Sequence, residues 1–91
     1  MLSLHGHSIK NVGFIHKFLQ SYKNLTVLDL TDNILGNRGA LEIKTLIQET
    51  TTIQVLILRN NRIGPEGLQH ICSGLAVNKS IKHVDLRDNL I

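Results

Sequence analysis

The chain repeats itself every 28 residues. Leu25-x-x-Leu28-x-Leu30-x-x-Asn33-x-Leu35-Gly36 returns as Ile53-x-x-Leu56-x-Leu58-x-x-Asn61-x-Ile63-Gly64. It returns again as Ile81-x-x-Val84-x-Leu86-x-x-Asn89-x-Ile91, where the sequence stops. A fixed period in this range predicts stacked units, each burying its apolar face against the next. Such arrays build surfaces for binding more readily than enclosed active sites.

Each unit changes hydrophobic period half-way. Leu28-Asp29-Leu30 and Leu56-Ile57-Leu58 alternate, which is the strand period. Leu68, Ile71 and Leu75 then fall at helical spacing, as do Ala40, Ile43 and Ile47 one unit earlier. Gly64-Pro65-Glu66 puts proline at a first helical position with an acid in the first turn. Gly74 and Asn78 are candidates for that helix's end, and Glu49 to Thr52 reads as a return loop. Each unit is thus strand, turn, helix, loop. Stacking sets the strands side by side in a parallel sheet, with the helices outside and Leu, Ile and Val between.

Asn33, Asn61 and Asn89 hold one position of the repeat. An asparagine there can donate and accept hydrogen bonds with neighbouring backbone, so the column is expected to be structural. Residues 1–24 form a degenerate unit. Leu2-x-Leu4-x-x-His7-x-Ile9 matches Leu28-x-Leu30-x-x-Asn33-x-Leu35 with a period of 26, and Phe14, Phe18 and Leu19 are its expected core face. One domain is expected over 1–91, divided 1–24, 25–52, 53–80 and 81–91.

Composition narrows the class. Hydrophobic residues make up 42% of 91 residues, which excludes disorder, and aromatics only 3%, so aliphatic side chains must form the core. The formal charge of +3 is spread without a basic stripe, so nucleic acid is not the expected partner. A single cysteine, Cys72, excludes an internal disulfide and fits a reducing, cytoplasmic setting. Its neighbour Ile71 suggests a half-buried, inert thiol. There is neither a signal-peptide pattern at the start nor an apolar run long enough to span a membrane.

The pattern L-x-x-L-x-L-x-x-N-x-L-G-x-x-G, carried by Leu25 to Gly39 and Ile53 to Gly67 and partly by Ile81 to Ile91, resembles the leucine-rich repeat. The 28-residue unit resembles its ribonuclease-inhibitor-like class. The resemblance implies an α/β horseshoe, with a parallel sheet on the concave face, helices on the convex face, and protein partners bound on the strand side. It also implies an intracellular protein. Family members often carry many more repeats and capping segments, so the chain is expected to be a slice of a longer array, or to pair edge to edge.

On the strands, residues between the core leucines face the other way. They form columns: Val27, Val55, His83; Asp29, Ile57, Asp85; Thr31, Arg59, Arg87. The expected partner surface is Val55, Ile57, Arg59, His83, Asp85 and Arg87. An arginine beside exposed aliphatic residues suits a protein interface. The plainer alternative is that Arg59 and Arg87 merely pair with Asp29, Asp85 or Asp88 on neighbouring strands. No cofactor is expected. No phosphate loop, H-E-x-x-H or paired-cysteine motif is present, and His5-x-His7 lacks a third ligand. The expected function is a non-catalytic protein-binding module. The alternative is part of a Ran-type GTPase activator, which shares this repeat class. That family has a catalytic arginine and a long acidic tail; the tail is missing, and neither Arg38 nor Arg62 can be matched to the arginine.

Overall fold

The computed structural model describes residues 1–6 and 24–91. The elements run β1 (Leu2–Ser3), β2 (Val27–Asp29), α1 (Gly36–Glu49), β3 (Val55–Ile57), α2 (Pro65–Val77) and β4 (His83–Asp85). The four strands form one parallel sheet in the order β1-β2-β3-β4. Leu28 pairs with Leu56 and Leu56 with Val84, so the register equals the repeat period. Leu2 pairs with Leu28, as the 26-residue offset requires. The rest of the first unit, with His7, Ile9, Phe14, Phe18 and Leu19, lies outside the described residues.

The core sits between sheet and helices. Leu25, Leu28, Leu30 and Leu35 meet Ile53, Leu56, Leu58 and Ile63, and Ala40, Ile43, Leu46, Ile47 and Ile71 close it from the helix side. Leu46 was absent from the expected stripe; it widens the buried face of α1. In α2 only Ile71 of the three stripe residues is fully buried, while Leu68 and Leu75 are half-buried. Two expectations are corrected. Gly74 does not end its helix: it lies within α2, and a Cβ there would stand 3.1 Å from Ile47 Cγ2 and 3.2 Å from the Lys44 carbonyl. Its smallness lets the helices approach. Cys72 is exposed rather than half-buried, because the buried side of α2 is drawn by Gly67, Ile71 and Gly74.

The asparagine column stitches the units together. Asn61 Nδ2 donates to the Leu30 carbonyl (2.9 Å) in the preceding unit and to the Arg59 carbonyl (3.1 Å) in its own. Asn89 Nδ2 donates to Leu58 and Leu86 carbonyls, both at 2.9 Å, and its Oδ1 accepts the Asn61 and Ile63 amides. Asn33 Nδ2 reaches Leu4 and Leu30 carbonyls in the same way. These bonds pair backbone groups that irregular turns would otherwise bury unsatisfied.

Helix ends are completed across units too. Asn37 Oδ1 accepts the amides of Gly64 (2.7 Å) and Gly67 (3.0 Å), capping α2 from the preceding repeat. A Cβ at Gly67 would fall 2.6 Å from that same oxygen. In the other direction Asn78 Nδ2 donates to the carbonyls of Ile47 (2.7 Å), in the last turn of α1, and of Thr50 (3.2 Å), just after it. The turn before each helix differs. Gly36 is left-handed (φ 63), whereas Gly64 is extended (φ −99), because Pro65 crowds the residue before it. There Arg62 takes the left-handed place (φ 59).

Candidate protein-binding face

The side of the sheet away from the helices carries the alternate strand residues. Parallel register brings them into rows: Val27 beside Val55 beside His83, and Ser3, Asp29, Ile57 and Asp85 in the next. The six residues expected at the site therefore lie on the adjacent strands β3 and β4 and the turns that follow. Val55 and Ile57 are half-buried and His83 is exposed. Asn33, Asn61 and Asn89 point elsewhere, into the turn column described above.

Aspartate at the end of a strand has a local task. Asp29 Oδ1 accepts the amide (2.9 Å) and the hydroxyl (2.5 Å) of Thr31. Asp85 Oδ1 accepts the amide of Arg87 (3.1 Å) in the same i to i+2 turn. Between them stands Ile57, which has no such group to offer. The middle strand thus replaces a turn-forming aspartate by an aliphatic side chain, and with Val27 and Val55 it leaves an apolar patch.

Charges ring the patch. Arg87 grips Asp85 with two nitrogens, Nε at 3.1 Å from Oδ1 and a terminal nitrogen at 2.8 Å from Oδ2. Arg59 is held more loosely, with Nε 4.0 Å from Asp85 and a terminal nitrogen 3.6 Å from Asp88. Arg59 Nε is buried and has no hydrogen-bond partner among the described residues. Arg59 thus pairs with Asp85 and Asp88 of the neighbouring unit as anticipated, whereas Arg87 closes on Asp85 of its own unit and Asp29 turns to Thr31. The Arg87 side-chain and backbone bonds hold the Asp85 carboxyl down at about 2, and the same pairing raises Arg87.

A second row lay outside the expected site. Asp32, Asn60 and Asp88 occupy equivalent left-handed turn positions at φ 58, 52 and 62. Short amide and carboxylate side chains tolerate that conformation best. Asn60 Nδ2 donates to Asp32 Oδ1 (2.8 Å) and His5 Nε2 lies 2.6 Å from Oδ2. The bond from Asn60, then that from His5, lowers the Asp32 pKa. The 28-residue period marks this row in the sequence, but alternation alone does not, because it follows the strands. Among the described residues no group of three or more His, Cys, Asp or Glu could hold a metal ion, and no helix is long and apolar enough to cross a membrane.

Comparison with known proteins settles the family. A family model described as Leucine Rich repeat matches residues 23–44 and 50–72, covering the two best-formed units. This chain is a leucine-rich repeat protein. Its α/β architecture is that of a solenoid segment, with a parallel sheet on one side and helices on the other. The repeat protein is 39% identical over 72 residues to mouse NACHT, LRR and PYD domains-containing protein 14, covering 78% of the chain and 7% of that relative. It is 46% identical over 55 residues to the protein phosphatase 1 regulatory subunit 37 homolog of Caenorhabditis briggsae, covering 60% of the chain and 6% of the relative. Pig ribonuclease inhibitor is 34% identical over 74 residues, covering 80% of the chain and 16% of the relative. The chain therefore spans a small part of each relative's length.

Proposed function

We propose that this leucine-rich repeat segment is a non-catalytic protein-binding module, and that it engages its partner on the open face of the sheet. The observation that carries the reading is Ile57. It interrupts a column of hydrogen-bonded aspartates and joins Val55 in an apolar patch, with Arg59, Asp85, Arg87 and His83 around it. Apolar centres with a charged surround are the usual anatomy of an interface. Arg59 suits an anchoring role, since its stem extends the patch and no tight ion pair consumes its guanidinium. The names of the relatives are in keeping with this, one being a regulatory subunit and another an inhibitor. The reading places the protein inside the cell, in line with its one cysteine.

The test compares two variants in cells by proximity crosslinking and mass spectrometry. Ile57→Asp with Arg59→Glu should remove the crosslinked proteins, while Leu41→Asp on the exposed side of α1 should keep them. Circular dichroism checks that both variants stay folded. Loss with Leu41→Asp and retention with the double variant would move the interface to the helices and overturn the proposal.

A further inference from the structure

A second surface lies at the opposite edge of the sheet, where the strands begin. Thr50, Thr51, Thr52 and Gln54, with Gln48, form one wall of a cleft of about 480 Å³, and Val77, Asn78, Lys79, Ser80 and Lys82 form the other. The two walls are the same loop of successive repeats. We propose that this cleft binds an acidic, extended segment of a protein partner, with a Glu or Asp side chain between Lys79 and Lys82 and an apolar neighbour against Val77.

Charge is the first support. Among the described residues, Lys79 and Lys82 are the only charged ones lining the cleft, and no carboxylate lines it. Neither lysine makes an ion pair or a side-chain hydrogen bond with a described residue. The repeat itself does not demand them, because the preceding unit has Thr51 and Gln54 in these places. Lys79 follows the end of α2, where a cation is favoured by the helix dipole alone. That account does not extend to Lys82, which directly precedes β4.

Rigidity is the second support. Asn78, on the cleft wall, has both ends of its amide engaged. Its Nδ2 ties off the Ile47 and Thr50 carbonyls, and its Oδ1 accepts the Ser80 (2.8 Å) and Ile81 (2.7 Å) amides. The wall is therefore formed before any ligand arrives. The same bonds occupy carbonyl oxygens at the end of α1 that would otherwise repel an anion. Val77 supplies the apolar contact, being 62% exposed at the end of its helix.

The experiment titrates the full chain, labelled with nitrogen-15, with a blocked peptide of sequence Gly-Ser-Leu-Glu-Glu-Leu-Ser-Gly. Amide shifts are expected at Thr51, Thr52, Lys79, Ser80 and Lys82, and should fade in 0.3 M salt, about three times the ionic strength at which the screening length is near 10 Å. Lys79→Gln with Lys82→Gln should weaken binding about fivefold, in keeping with two exposed charge pairs, and Lys79→Arg with Lys82→Arg should retain it. Equal binding of the glutamine variant, equal binding of a peptide with Gln in place of Glu, or shifts confined to the open face would each overturn the proposal.

Discussion

The two faces of the same strands obey different rules. Facing the helices, Leu28, Leu56 and Val84 follow one another across the sheet, aliphatic at every step. Facing outward, the rows change in kind from strand to strand: Asp29, Ile57, Asp85, and Thr31, Arg59, Arg87. The inner face is uniform because each unit must fit the unit before it. The outer face meets no such demand, so its composition is free to vary from unit to unit. Burial follows the same division, with Leu28 and Leu56 wholly buried and Ile57 only half so.

The largest break in this contrast is expected from the inner face. Leu56 has no exposed surface and sits in the middle of the stack. Leu56→Ala should cost roughly 2–5 kcal/mol, read as a shift in urea unfolding followed by circular dichroism. A loss below 1 kcal/mol would mean that the stack tolerates a gap at its centre. Next comes the asparagine column. Asn61→Ala takes a buried donor from the Leu30 and Arg59 carbonyls, and should cost about 1–3 kcal/mol by the same assay. Asn37→Ala removes the cap that one unit places on its neighbour's helix, an effect of about 0.5–2 kcal/mol. Hydrogen exchange should show it as faster exchange of the Gly64 and Gly67 amides, with the exchange of β2 unchanged.

The outer face is expected to respond less, and differently. Asp85 has its folded pKa lowered to about 2 from the ordinary 3.8. A depressed carboxyl stabilises the fold above its unfolded pKa, and that contribution is lost as pH falls toward the folded value. Unfolding of the native chain and of Asp85→Asn should thus differ at neutral pH and converge between 3.8 and about 2. The smallest effect is predicted for Ile57→Thr, within about 0.5 kcal/mol by urea unfolding. A large loss there would show that the outer face serves stability after all.

Much of the fold could be read from the sequence, because period and alternation describe how neighbours contact. The strand columns, the proline at the start of α2 and the turn asparagines all follow from residues a fixed distance apart, as does the loop expected over Glu49 to Thr52 except at Glu49, which is the last residue of α1. What could not be read depends on contacts 26 to 31 residues away between unlike residues. Asn37 reaching Gly64 and Asn78 reaching Ile47 are of this kind. So is Gly74, which looked like a helix end until Ile47 and Lys44 were seen beneath it. The rows of the outer face were legible in the same way as the core. The pairing within them was not, since Arg87 closes on Asp85 of its own strand while Arg59 looks to the next.

The two asparagines that finish helices across units carry a lesson about inheritance. A regular period invites the view that repeats are interchangeable bricks, free to be duplicated, deleted or shuffled by recombination. Asn37 and Pro65 occupy the same position of the repeat, yet only the former can cap a neighbour. Placing the second unit's turn where the first one's stands would leave the following helix without its cap. The array therefore has an order as well as a period, and swapping its units would scramble a grammar that the repeating letters conceal.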